Sequence, residues 1–258
     1  MLVSALRRLH KIIPDKVYYA IKNTIVFLDH KIRKSILVIG DSHTGFFIFN
    51  GDRTWRNPDK VQEELHFSVL PQGPALAYNL SNYGTSTKAR EKVESLCKSL
   101  YVSKRRQEVF LCCFGEIDCR VHVLKQAEKI PGNGYKKVVD NIITNYLSFL
   151  KWLMDYGNVW CWGPVASQSE KTPIDPSFPR YGSEYDRNRV TAYFNEQLKK
   201  VCEENGIGFI SVFPKLIDNE GLTKEEYYLD GVHLNQKAAA LANDQLKFLY
   251  DKIHKKDR

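Results

Sequence analysis

Short apolar runs alternate along this chain with longer stretches in which apolar residues recur at helical spacing. Ser35-Ile36-Leu37-Val38-Ile39 is almost wholly apolar and runs into Gly40, the pattern of a parallel strand buried on both faces that ends in a tight turn. Residues 67–70 make a second short run, and Glu-Val-Phe-Leu-Cys-Cys-Phe over 108–114 a third, stopping at Gly115. A fourth covers 159–163 before Pro164, and a fifth 208–213. Between and after them, helical periodicity predicts helices over 88–100, 135–154, 186–205 and 235–253, and the Ser- and Pro-containing stretch 166–182 reads as a loop. Alternation of this kind predicts an α/β domain: a central, mostly parallel sheet of about five strands, covered by helices on both faces in a three-layer sandwich. Polar clusters fall at the carboxyl ends of these strands or in late loops, where open α/β sheets bind ligands.

The first 34 residues differ from the rest. Leu2, Leu6, Leu9, Ile12 and Ile13, then Val17, Ala20, Ile21, Ile25 and Leu28, follow helical spacing among basic residues, with Pro14 dividing two short helices. We read residues 1–34 as a basic helical extension packing on a domain of residues 35–258. The other reading is an amphipathic segment making peripheral contact with a membrane surface. Tyr18, Tyr19 and Asp29 dilute the apolar face, which favours packing.

Composition narrows the classes. At 258 residues, 43% hydrophobic and 26% charged, the chain is long enough to bury a core without staples. Its net charge of +8 is concentrated at the two ends, and no nucleic-acid-binding motif accompanies it, so no nucleic-acid partner is expected. The six cysteines form no CxxC pair and no zinc-ligand spacing, and Cys112 and Cys113 lie inside an apolar run. His43, His122 and His233 are too widely separated to match a standard metal motif, so neither a metal nor another cofactor is expected. Charges interrupt the N-terminus almost at once and no long apolar core follows, which points to a cytoplasmic protein.

Two clusters carry chemistry. Gly40-Asp41-Ser42-His43 directly follows the first strand, where a serine presents its hydroxyl at the sheet edge and its N–H can help hold an oxyanion. Asp230-Gly231-Val232-His233 precedes the last helix. A spacing of three lets the carboxylate reach the imidazole Nδ1 while Nε2 faces a nucleophile. Taken singly, the first is an ordinary turn and the second a capping Asp with a surface histidine. Together they supply a nucleophile, a base and an orienting carboxylate.

These two blocks resemble the hallmark motifs of the SGNH (GDSL-like) hydrolases. Also similar are the Gly163-Pro164 turn and the Arg187-Asn188-Arg189 helix start leading to Asn195 and Ile207-Gly208-Phe209-Ile210. The resemblance covers about residues 35–250. It implies a flavodoxin-like domain and an esterase, acyl hydrolase or acyltransferase with Ser42 as nucleophile, His233 as general base and Asp230 as its partner. The family's oxyanion hole adds a glycine N–H and an asparagine side chain to the serine N–H. Gly73 is our choice for the glycine and Gly84 its rival.

The third block departs from the family. Gly115-Glu116-Ile117-Asp118 stands where Gly-x-Asn-Asp is usual, and Ile117 has no donor to offer. Loss of such a donor costs about 100- to 1,000-fold in rate unless something replaces it. We expect Arg120 to supply charged donors, with Glu116 holding the arginine or meeting a sugar hydroxyl. Asp41, His43, Glu116 and Asp118 are the candidate substrate contacts. Glu116, Asp118, Arg120 and His122, spaced by two, equally fit a solvent-facing strand edge; their place after a buried strand favours the site. Trp160 and Trp162, before the 166–182 loop, are candidates for stacking on a sugar, with core packing the favoured reading for at least one of them. The expected substrate is an acyl ester of a carbohydrate or related polar metabolite. The alternatives are a binding module with a weakened site, or different chemistry centred on Glu116, Asp118 and Arg120.

Overall fold

The computed structural model describes residues 35–48, 54–56, 64–101, 108–132, 134–176 and 179–254, with Pro14, Val17, Ile21 and Thr24. The extension expected over 1–34 otherwise lies outside the described residues. Among the described residues six strands form one sheet: β1 Ile36–Gly40, β2 Thr54–Arg56, β3 Glu64–Pro71, β4 Glu108–Cys113, β5 Gly157–Trp162 and β6 Gly208–Ile210, in the order β2-β3-β1-β4-β5-β6. Five strands run parallel, and β2 pairs antiparallel with β3, Thr54 opposite His66. The edge strand β2 was not predicted, because three residues are too few to show a period.

The central strands β1 and β4 are buried along their whole length, as their unbroken apolar runs require. Their side chains alternate between two cores. Leu37, Ile39, Phe110 and Cys112 face a core shared with helices α1 Ala89–Tyr101, α2 Gly134–Met154 and α3 Glu184–Glu204; Ile36, Val38, Val109 and Leu111 face one shared with α4 Ala239–His254. This is the expected three-layer arrangement.

Two stretches depart from the pattern reading. The fifth strand stops at Ile210 rather than 213. Gln245 takes over there, accepting from Ser211 N–H at 3.2 Å and donating to Ser211 C=O at 3.1 Å, and a short helix over Phe213–Leu216 follows with Pro214 in its first turn. The polar stretch after β4 is helical, not extended: a π-helical turn spans Asp118–Val123 and runs into a short helix, Leu124–Ala127. A spacing of two therefore puts no common face on Glu116, Asp118, Arg120 and His122, whereas the four-residue step from Glu116 to Arg120 brings those two together.

Chain order places the site. From β1 the chain moves to β3 on one side and then crosses to β4 on the other, so the carboxyl end of β1 lies at a switch point. There Gly40 sits opposite both Pro71 and Cys113. A Cβ on Gly40 would lie 2.2 Å from the Cys113 carbonyl oxygen, so only glycine lets the first turn leave the sheet this close to β4.

Candidate active site

The turn after β1 is a 3-10 helix over Ser42–Phe47, capped by Asp41, whose Oδ1 accepts from His43 N–H at 2.9 Å. Thr44 donates its hydroxyl to the Asp41 carbonyl at 2.8 Å. Ser42 is left exposed at the mouth of this turn while His43 and Thr44 point inward.

Opposite it lies the late loop. Asp230 Oδ1 accepts from the N–H groups of Val232 and His233 at 3.0 and 2.8 Å, which curls the loop back on itself. Its other oxygen, Oδ2, lies 2.7 Å from His233 Nδ1, and His233 Nε2 lies 2.8 Å from Ser42 Oγ. The Asp230 carboxyl is held below its ordinary range: partial burial works against this, but the His233 and Val232 N–H groups and the imidazole outweigh it. An ionised Asp230 fixes the tautomer with Nδ1–H directed at it, leaving Nε2 to accept from Ser42.

The N–H of Ser42 and that of Gly73 make no hydrogen bond among the described residues, and Gly73 lies just past β3, after Gln72, whose N–H donates to Gly40 C=O at 2.7 Å. The rival Gly84 is engaged elsewhere, donating its N–H to Glu91 Oε1 at 2.7 Å. Ile117 is buried and offers no donor.

The remaining candidates form a buried charged group behind Ser42. Arg120 grips Glu116 with two donors, Nε to Oε1 at 2.6 Å and Nη2 to Oε2 at 3.2 Å. His43 Nε2 lies 3.2 Å from Glu116 Oε2, near enough for an ion pair but off the line of a hydrogen bond. Burial pushes the Glu116 carboxyl up, yet His43 and Arg120 together hold it down to about 2. Burial opposes a charged His43, but Glu116 and Asp41 outweigh it and raise its pKa. Asp41 is itself pushed up to about 6 by burial, against the pull of His43.

These positions change what each residue can do. Asp41, His43, Glu116 and Asp118 are all buried, so none is an exposed contact for substrate. Arg120 is buried too, with Nε and Nη2 turned to Glu116. Asp118 accepts from Ala77 N–H at 2.8 Å and Tyr78 N–H at 3.3 Å, anchoring the segment that follows Gly73. Burial raises its carboxyl to about 7, with those two donors pulling the other way. Trp162 packs in the core against Phe46 and Phe47, and Trp160 against Phe248, so the two rings serve packing.

The 166–182 loop is held by Arg187, which donates to Ser167 Oγ, Gly182 C=O and Gln168 C=O, and by Glu184, which accepts from Glu170 and Thr223 N–H. Thr172 from this loop packs against the Asp230 turn: its side chain lies 2.4 Å from where a Cβ on Gly231 would stand. That contact was not legible in the sequence. Nor was the meeting of His43 with Glu116, which depends on the β1–β4 register. Among the described residues no group of His, Cys, Asp and Glu side chains is arranged to hold a metal ion, and no helix is long and apolar enough to cross a membrane.

No protein-family model matches the sequence, and no curated protein does. Solved structures do match by fold. A GDSL-like lipase from Bacteroides thetaiotaomicron aligns over 92% of this chain and 98% of its own, with a TM-score of 0.52 and 14% identity. A candidate acylhydrolase from Bacteroides fragilis aligns over 86% of this chain and 88% of its own, with a TM-score of 0.50 and 15% identity. The resemblance to SGNH (GDSL-like) hydrolases read from the motifs therefore holds at the level of the fold.

Proposed function

We propose that this chain is a serine-dependent acyl-ester hydrolase or acyltransferase in which Ser42, His233 and Asp230 act as one unit. The observation that carries this is the unbroken line of contacts from Ser42 Oγ to His233 Nε2 at 2.8 Å and from His233 Nδ1 to Asp230 at 2.7 Å. Ser42 Oγ attacks the ester carbonyl carbon as its proton passes to His233 Nε2. Asp230 stabilises the imidazolium that forms. The N–H groups of Ser42 and Gly73 receive the oxyanion, and His233 returns the proton to the leaving alcohol. A second acceptor, water or another alcohol, then takes the acyl group from Ser42.

For the alcohol we propose a polar, carbohydrate-like acceptor. The aromatic platform is gone, and the support is the polar 166–182 loop, with Thr172 against the Asp230 turn and Lys171 exposed beside it. Leu229, 77% exposed next to Asp230, favours a second reading in which an apolar acyl chain is the recognised part. The cytoplasm is the proposed setting, because all six cysteines are buried free thiols, as a reducing compartment maintains them.

The decisive experiment is labelling with a fluorophosphonate probe. Wild type should label, while Ser42→Ala should not and His233→Ala should label far more slowly. If wild type stays unlabelled, the site only binds ligands. Turnover of acetylated sugars against 4-nitrophenyl esters of increasing chain length then separates the two substrate readings: a preference for long acyl chains discards the carbohydrate.

A further inference from the structure

Attack by Ser42 creates negative charge on the carbonyl oxygen, and Ile117 leaves that charge one donor short of the arrangement the fold's relatives were expected to provide. Arg120 is turned away to Glu116. The residue next to the nucleophile carries an ionisable ring. His43 shares the 3-10 turn of Ser42, and its ring centroid lies 5.0 Å from that of His233, which itself touches Ser42 Oγ.

We infer that His43, kept as an imidazolium by the buried carboxylates of Glu116 and Asp41, supplies the positive charge that offsets the oxyanion in place of the missing asparagine. This rests on the serine-ester reading of the site. His43 is not spent on structural hydrogen bonds. Its buried Nε2 has only the off-line contact with Glu116. An ordinary core histidine would have that nitrogen satisfied. Two carboxylates favour a cation, Asp41 from its own turn and Glu116 from the turn after β4; burial and the Arg120 guanidinium beside Glu116 oppose it without outweighing them. The His233 ring faces it from the late loop. Cys113, at the end of β4, and Tyr228, in the late loop, are both pushed well up by burial and stay neutral. A charge enclosed in this way acts across a low dielectric, where it is worth far more than in water.

The arrangement has a signature that packing alone lacks. A base in a serine site gains activity as pH rises and it loses its proton. His43 would act in the opposite sense, its help present below its raised pKa and lost as pH climbs through it. Wild type should therefore show an alkaline limb in kcat.

The test compares wild type with His43→Gln, using 4-nitrophenyl acetate turnover and inhibition by phenylboronic acid. The boronic acid forms a bond from Ser42 Oγ to boron and becomes a tetrahedral anion as the serine proton moves to His233. His43→Gln should lower kcat by about 10- to 100-fold, weaken the boronate by a similar factor, leave KM within about twofold and remove the alkaline limb. Unchanged kcat and boronate affinity, with the limb retained, would overturn the inference; so would a KM that rises in step with the loss, since that marks a distorted site. Should His43→Gln fail to fold, Glu116→Gln keeps the ring and removes its counter-ion. Its alkaline limb should move to lower pH, and an unmoved limb rejects the idea. Wild type that does not label with fluorophosphonate removes the serine-ester reading and this inference together. Normal labelling with an unaffected His43→Gln removes the inference alone.

Discussion

Two histidines stand side by side at the carboxyl ends of the strands, and each has its own carboxylate. His233 and Asp230 are 34% and 51% exposed, and their 2.7 Å contact lies along a hydrogen bond. The side chains of His43 and Glu116 are each 6% exposed, and their 3.2 Å contact is held from behind by Arg120. The pairing is chemically the same and the surroundings are opposite. In the exposed couple, a proton can arrive and leave without stranding a charge in the core. The buried couple holds its charges because losing any one would leave the others uncompensated. In the proposed mechanism, proton traffic belongs at the first and a standing field at the second.

The comparison can be broken first at the exposed couple. Asp230→Asn keeps an oxygen for the Val232 and His233 N–H groups but no longer orients the imidazole correctly. Turnover should fall about 1,000- to 10,000-fold, with stability within about 0.5 kcal/mol of wild type. A large loss of stability in urea would show that this couple is structural after all.

The buried couple should respond the other way. Glu116→Ala strands His43 and Arg120 and should cost about 3–5 kcal/mol at neutral pH, read from urea midpoints. The pH dependence has a definite sign. Glu116 ionises at about 2 in the folded chain against an ordinary 4.5, so its contribution is present above about 4.5 and is lost as pH falls towards 2. The stability gap between wild type and Glu116→Ala should therefore narrow across that window. A constant gap would mean that the charge of Glu116 is not what stabilises.

The smallest effect separates the two glycines. Gly73 and Gly84 have φ of +81° and +73° with open space around them, so alanine at either should cost about 1–2 kcal/mol from the backbone alone. Only Gly73→Ala should also slow turnover, by a few-fold, because Gly84 N–H is committed to Glu91. Equal kinetics for the two would remove Gly73 from the oxyanion site.

Much of the sheet was legible because buried parallel strands need continuous apolar runs, and β1 and β4 consist of little else. β2 is too short to carry a pattern, and β6 ends early because Gln245, 34 residues on, takes the backbone groups of Ser211. Ser42 and the Asp230–His233 spacing stood out because a turn needs only neighbouring residues to form. The stretch Glu116–His122, which equally fitted an extended edge while a site role was favoured, is helical from Asp118 onward, since alternation of polar residues does not by itself set a backbone period. For Trp160 and Trp162 the sequence left sugar stacking and core packing both open, and the elements around them decide for packing.

By itself the sequence determined that β1 and β4 are buried strands ending in turns and that Asp230 lies three residues from His233. Each follows from local chemistry: apolar continuity and a short spacing. Only the tertiary structure decided that His43 meets Glu116 and that Asp118 anchors Ala77 and Tyr78. Those partners lie 73 and about 40 residues apart, and only the alignment of β1 between β3 and β4 brings them together. Whether a charged residue faces water or a counter-ion is set by that alignment, and with it the difference between a proton carrier and a fixed charge.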